Sequence, residues 1–479
     1  MPAASPGQNR LAARGTSLAR LRFRRALTLM LMTLVLPGSA QIAAGNRRVG
    51  RIALRTWAAV IGVLVLLGLI GWLLPSVAYW LFANTVVLGF VRFVLIGLAI
   101  GVAYLFFDAW RLGNPLELRQ KQRLAMTGLN SALCFTVAGS LLFAAHIVHV
   151  QGSFISAMFA DSIVHNATDG RYNILLLGGD SGATRWGLRP DSITVASVDA
   201  ETGKTVLLGL PRNLQNFPFA EGSTMAGQFP NGYTCDGCEL NSLFTWALDH
   251  KGLFKGKKYP GVEATKDAVE GITGLKISYF AMVNLAGFRH LVDAVGGVKL
   301  HVRDRIPKGA LGDFDGHSYI EPGYRLLNGE DTLWFARSRM AADDYSRMAR
   351  QKCVLSAMLS QLSPQTVILK IGDIAKASRA MIKTDVPQSD LDTFAQLAMK
   401  ARTQPIRTVS FVPPLIETYK PDIDKIQTLV EKAIARSESG GKKSGKPSSK
   451  PSTGTTGGSY GNIHSGYTAN STEDLGSAC

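Results

Sequence analysis

The stretch FARSRMAADDYSRMARQKCVL, residues 335–355, places Arg337, Arg339, Arg347 and Arg350 inside chain that is apolar on both flanks. Asp344 fits the N-cap of a helix beginning at Tyr345. On that helix Arg347, Arg350 and Gln351 stand three and four positions apart and share one face. Val354, Leu355 and Met358 continue that face as an apolar one. If the preceding segment is extended, Arg337 and Arg339, two apart, point the same way. Buried guanidinium groups need anionic partners, and Asp343 with Asp344 are too few for four of them. An internal salt-bridge network is one reading. A site for a multiply charged anion is the other, and phosphate matches the bidentate geometry of Arg.

Two segments outside the stretch favour the anion site. LLLGGDSGATRWGLRPDSITV (175–195) leaves an apolar run through Gly178, Gly179 and Asp180, then presents Arg185, Arg189 and Asp191 before the next run. LLGLPRNLQNF (207–217) ends another run with Pro211-Arg212. Arg together with Asp at strand ends is the composition expected of a phosphate site completed by a divalent cation, with Asp supplying hard oxygen ligands.

The same region defines the fold class. YNILLLG, SITVASV, TVLLGL, ISYFAMV, GVKLHV and RTVSFV read as short buried strands. Helical patterns alternate with them: NSLFTWALDH, GVEATKDAVEGITG, LAGFRHLVDAV, DYSRMARQKCVLSAMLSQL and SDLDTFAQLAMKA. Residues 172–436 are therefore expected to form an α/β unit with helices over the sheet. From 437 to 479 the chain is rich in Gly, Ser, Lys, Pro and Thr, a composition that does not bury enough apolar area to fold.

The N-terminal third has a different character. Residues 57–74 carry no charge and are long enough to span a bilayer. A second apolar stretch, Val77 to Phe107, is interrupted only by Arg92, and a third runs from Met126 to Val150 with His146 and His149. Ala26 to Ala44 is shorter, contains Pro37-Gly38 and reads as a re-entrant or interfacial piece. The expected organisation is a basic cytoplasmic N-terminus (1–55), a module of about three spans (56–150), a linker (151–171), the α/β unit and the tail. Arg10 to Arg25, Arg47 to Arg55 and the loop from Arg111 to Arg123 put the N-terminus inside by the positive-inside rule. Three crossings then place the α/β unit outside the cell membrane.

A formal charge of +17 invites a nucleic-acid reading. The first 150 residues hold most of that excess, with Asp108 and Glu117 their only acidic residues, whereas the α/β region is nearly neutral. A DNA-binding domain carries its excess on its own folded face, so no nucleic-acid partner is expected. Cys235 and Cys238, in TCDGC outside the cell, read as a local disulfide, with zinc the alternative that lacks a second Cys pair. Cys134 and Cys353 read as packing residues. His290, His301 and His317 show no metal-ligand spacing.

The blocks GGDS…RPDSI, LPRN, ELNSLF, LVDAVGGVKLHV, LNGEDTLWFARSR and DYSRMARQ resemble, in order and spacing, the LytR-CpsA-Psr family over residues 172–362. The resemblance implies a phosphotransferase that moves a glycopolymer from a polyprenyl-pyrophosphate carrier onto peptidoglycan, with Mg²⁺, beside membrane lipid. It implies an α/β fold with an apolar lipid groove between sheet and helices. By motif, Asp191 matches the family's magnesium-binding acid and Arg189 the adjacent phosphate-binding Arg. Arg212 matches the Arg that grips the pyrophosphate. Arg337 and Arg339 match a paired-Arg block, and Asp344, Arg347 and Gln351 match DxGRxxRQQ, with Arg350 beside them. Asp344 and Asp180 are the candidates for a base. Three departures stand out: Asn213 replaces an acid, Glu239 a basic residue, and Lys352 the second Gln of RQQ. A pyrophosphatase using the same site, and a noncatalytic membrane-anchored regulator, are the competing functions.

Overall fold

The computed structural model describes residues 6–158, 165–180, 189–309, 318–339, 344–361, 382–404 and 406–439. Arg185, His317, Asp343, Cys479 and the tail from residue 440 lie outside the described residues. The chain divides into two compact units, Met1–Ser153 and Phe154–Cys479.

The first unit consists of α1 (Pro6–Val35), α2 (Ser39–Ala43), α3 (Arg47–Leu73), α4 (Pro75–Ala83), α5 (Thr85–Leu112) and α6 (Gln120–Met158) as far as Ser153. Among the described residues three helices are long and apolar enough to cross a membrane: Arg47–Leu73, Thr85–Glu117 and Gln120–Ser153. The Val77–Phe107 stretch is not continuous. It breaks at Asn84, whose side chain accepts from the Val86 and Val87 N–H groups and so starts α5 afresh. The Ala26–Ala44 piece is helical through Val35 and turns at Pro37-Gly38, with Gly38 at φ +96°. Arg92 finds a partner within the unit: its Nη1 lies 3.0 Å from His149 Nδ1. The α6 helix also runs eight residues, 151–158, into the segment expected to be a linker.

The second unit is built on a six-stranded mixed sheet, ordered β10-β3-β2-β1-β4-β9. Its strands are β1 (Arg171–Asp180), β2 (Arg189–Asp199), β3 (Thr205–Leu210), β4 (Tyr279–Asn284), β9 (Ile382–Thr384) and β10 (Arg407–Ser410). Both faces of the sheet are covered, which is why YNILLLG and TVLLGL read as unbroken apolar runs rather than alternating ones. Leu175, Leu177, Val195, Leu208 and Phe280 fill one face, packed with α8 (Ser242–Asp249), α9 (Pro260–Thr273) and α14 (Ile423–Glu438). The neighbouring side chains Ile174, Leu176, Ala196 and Leu207 meet Leu355 on the other face.

Leu355 belongs to α12 (Asp344–Gln361), whose Cys353 and Val354 enter a second core. That core also takes side chains from α10 (Leu285–Ala294), β5 (Val298–Val302), β6 (Ile306–Pro307), β7 (Tyr319–Ile320), β8 (Gly323–Leu327) and α11 (Gly329–Arg337). Cys353 does more than pack, because it is disulfide-bonded.

The motif glycines explain how α10 and α11 lock together. Gly297 has φ +92°, which carries the chain from α10 into β5. Gly329 sits so close to α10 that an added Cβ would lie 2.1 Å from the Arg289 carbonyl oxygen. Its N–H donates to Asp293 Oδ1 at 2.6 Å, so LVDAV and LNGED form one joint. Two further helices among the described residues are α7 (Thr224–Gln228) and α13 (Leu391–Ala401).

Candidate active site

Three strand and helix ends converge where β2 begins. Along the β1–β2 ladder Gly178 pairs with Ser192, and Gly179 with Pro190, so Asp191 is the extra residue of a β-bulge. A bulge re-aims the unpaired residue, and here it turns Asp191 toward the loop after β3. Arg212 in that loop donates from Nη1 to Asp191 Oδ1 at 2.5 Å. Its backbone carbonyl accepts from Asn241 N–H at 3.0 Å, joining LPRN to ELNSLF. The first turn of α12 supplies the rest. Arg347 Nη2 donates to the Asp191 carbonyl and to Asp344 Oδ2, both at 3.0 Å. Arg212 and Arg339 reach Asp344 Oδ1 at 3.6 and 3.8 Å.

Three guanidiniums against two carboxylates leave this cluster one positive charge in excess. Arg347 is only 2% exposed. Burial pushes its guanidinium down from the ordinary value, Asp344 opposes that, and the neighbouring Arg212 adds to it. Arg347 Nε is buried without a hydrogen-bond partner, and so is Asp344 Oδ1. A buried donor beside excess positive charge is a place where an anion is stabilised.

The cluster stands at one end of an apolar cavity of about 360 Å³ between the sheet and α10, α11 and α12. Leu176, Val283, Phe288, Leu333, Leu355 and Met358 line its body, and Asp191, Arg212, Arg337, Arg347 and Gln351 also line it.

The other residues singled out in the sequence are placed as follows. Arg337 is the last residue of α11, with its guanidinium 5.7 Å from the Trp334 ring. The extended pairing of Arg337 with Arg339 is therefore replaced by a helix end and the turn after it. Gln351 donates to the Ala336 carbonyl at 3.3 Å. Arg350, 1% exposed, donates to the Ser346 and Ser338 carbonyls, tying α12 to the end of α11 instead of lining the cavity. Asp344 is the first residue of α12 rather than its cap. The backbones of Asp180 and Arg189 pair at the open end of β1–β2, where Arg189 is exposed. Nothing is described of the Asp180 side chain. Cys235 and Cys238 are disulfide-bonded, with Cα atoms 5.2 Å apart. Glu239 contributes negative charge near Arg212.

One of the three departures from the family pattern, Lys352, lines the cavity. Lys352 lies among apolar neighbours on α12, is 5% exposed, and donates from Nζ to Ser410 Oγ at 2.8 Å. Burial pulls its ammonium down to about 7, against about 10.4 in an unfolded chain. Between those values the unfolded chain binds a proton that the folded chain does not, so stability rises with pH there and is flat below. Lys352→Gln is expected to remove a rise on the order of 3 kcal/mol between pH 7 and 10. The measurement is the denaturation midpoint of the full chain in detergent across that range, and an unchanged slope would sink the idea.

The cluster of Arg and Asp side chains thus stands beside an apolar cavity on a mixed α/β sheet. The chain belongs to the LytR_cpsA_psr family, whose model matches residues 149–428. It is similar to the polyisoprenyl-teichoic acid–peptidoglycan teichoic acid transferase TagV of Bacillus subtilis, 26% identical over 218 residues. That alignment covers 45% of this chain and only half of the relative. The corresponding transferase TagU of Bacillus licheniformis is 23% identical over 301 residues, covering 61% of this chain and 87% of the relative. The crystal structure of B. subtilis TagV superposes with a TM-score of 0.40 at 23% identity, covering 55% of this chain and 97% of that one.

Proposed function

We propose that the chain is a membrane-anchored phosphotransferase that moves a glycopolymer from a polyprenyl-pyrophosphate carrier onto peptidoglycan on the outer side of the membrane. The observation that carries this reading is the Asp191–Arg212–Arg347–Asp344 cluster, positive in excess, at the end of an apolar cavity. The cavity takes the polyprenyl chain, and Arg212 and Arg347 take the pyrophosphate oxygens. An acceptor hydroxyl oxygen attacks the phosphorus that bears the glycan. The bond to the polyprenyl phosphate breaks, the hydroxyl proton passes to a carboxylate, and polyprenyl phosphate leaves. Asp344 fits the role of that base, because its Oδ1 has no hydrogen bond to give up.

Charge builds on the nonbridging and leaving oxygens during such a transfer, so positioned cations supply most of the acceleration. The residues present fit Mg²⁺. Asp191 offers one carboxylate on the cavity wall, with Asp344 kept as the base. Mg²⁺ is commonly held by one or two carboxylates plus water and substrate phosphate oxygens. No group of three or more His, Cys, Asp or Glu is assembled among the described residues, which suits a site completed by substrate. When bound there, the ion would neutralise pyrophosphate charge.

Purified full-length protein, given a lipid-linked donor and peptidoglycan, is expected to form a glycan–phosphate–peptidoglycan linkage. Release of free phosphorylated glycan at a rate indifferent to acceptor would replace transfer with hydrolysis.

A further inference from the structure

A second cavity, of about 440 Å³, runs between the edge strand β10 and α14. Arg407, Lys425, Lys432 and Arg436 line it, and none of its lining residues is acidic. The charges on α14 are segregated. Lys425, Lys432 and Arg436 follow the stripe through Leu429 and Ala433 that lines the cavity, whereas Asp424, Glu431 and Glu438 recur every seven residues on another stripe. Thr408, also on the lining, is 2% exposed and its Oγ1 has no hydrogen-bond partner.

The position of this trench ties it to the reaction centre. Strands β3 and β10 are parallel, so the loops that follow them leave the same end of the sheet, one carrying Arg212 and the other Val412–Leu415. The two loops are joined by Gln215 N–H to the Thr418 carbonyl at 2.9 Å and by Asn216 Nδ2 to the Tyr419 carbonyl at 2.6 Å. Lys425 donates to the Leu415 carbonyl at 2.7 Å, which sets the first cation of the trench at that end. From Lys425 to Arg436 the helix advances about 16 Å. Ser410 lines both cavities, so the trench and the apolar cavity share a wall.

We infer that this trench is a track for an anionic glycopolymer, the polymer portion of the lipid-linked donor, with a negatively charged group in each repeat. A row of cations leading away from the pyrophosphate site matches a chain of repeating anions, whereas one phosphate would need only one clamp. The identity of the polymer as donor rests on the transferase reading. The binding of a polyanion does not.

The test uses the full chain in neutral detergent and fluorescein-labelled inorganic polyphosphate, followed by anisotropy. The Lys432→Glu/Arg436→Glu variant is expected to bind at least tenfold more weakly, and Lys432→Gln/Arg436→Gln to fall in between with an unchanged melting midpoint. Glu431→Lys, on the other stripe, should not weaken binding. With a donor carrying an anionic polymer, KM should rise about tenfold in the Glu variant at unchanged kcat, while a donor with an uncharged polymer is turned over as before. Equal polyphosphate binding by wild type and both double variants overturns the inference. So does loss confined to phosphatidylglycerol micelles, which would make the trench a membrane contact. If polyphosphate binding responds as expected but no donor is turned over, the transferase reading fails and the anion track stands.

Discussion

Asp191→Asn is expected to lower turnover of a polyprenyl-pyrophosphate donor by roughly 10²–10³-fold, the size associated with losing one positioned electrostatic group, while the chain stays folded. The amide keeps the shape of the side chain but loses the charge that orients Arg212 at 2.5 Å and that, on the proposed mechanism, would serve a divalent cation. Asp191 is the unpaired residue of the bulge, so its side chain supports no ladder contact, and its exchange leaves the β1–β2 register intact. The measurements are the initial rate of donor turnover and the thermal midpoint of the same preparation. Near-normal turnover, or wild-type turnover that survives removal of magnesium by a chelator, would sink the metal role.

Arg347→Lys is expected to weaken binding of a polyprenyl phosphate by about 10–100-fold, since hydrogen bonds to charged groups contribute about 1.5–3 kcal/mol each. The charge is conserved in this variant, but the guanidinium fork is lost. Arg347 uses that fork to hold the Asp191 carbonyl and Asp344 at once, with Nε left over for a ligand. Arg347→Ala should behave differently. It empties a buried position and removes one of the partners of Asp344 and Asp191, so it should lower the thermal midpoint as well. If Arg347→Lys unfolds the chain in proportion to its loss of binding, and the folded fraction binds like wild type, the cluster is an internal ion-pair network and no more.

Much of the sheet was legible because both of its faces are covered. β1, β2, β3, β4 and β10 all read as compact apolar runs bounded by Gly, Pro, Asp or Asn, and α8, α9, α10, α12 and α13 kept a helical period. The α11 helix was hidden because Asn328, Gly329, Glu330 and Asp331 look like a loop. In fact Asn328 caps it by accepting from Asp331 N–H, and Gly329 is small because α10 lies against it. That cap also turns the Arg337–Arg339 pair from a strand edge into a helix end. α14 went unread because its apolar stripe is interleaved with Lys and Glu, and only the tertiary partner shows which stripe is inside.

At the site, Asp191, Arg212, Asp344 and Arg347 lie far apart in sequence, and their residue types and motifs pointed to a shared anion. Arg350 shows the limit of helical spacing. It shares a face with Arg347, yet one turn further along that face meets the Ser338 carbonyl just past the end of α11 rather than the cavity. Spacing gives a direction, and the neighbour on that side decides the role. Lys352 carried a signal of its own, a cation next to the apolar run that begins at Cys353, but a single residue of that kind does not announce what surrounds it.

The bulge at Asp191 also separates architecture from chemistry at the level of the gene. Substitutions elsewhere in β2 trade one side chain for another within a continuous ladder, but removal of codon 191 would bring Pro190 and Ser192 together opposite Gly179 and Gly178. The strand would then be one residue shorter and regular, its buried residues from Ile193 onward still on their own faces. For a sheet of this kind the Asp191 carboxylate is an insertion that the fold tolerates. Deletion of residue 191 is thus a lesion that would remove the carboxylate proposed to face the metal while tidying the scaffold that carries it.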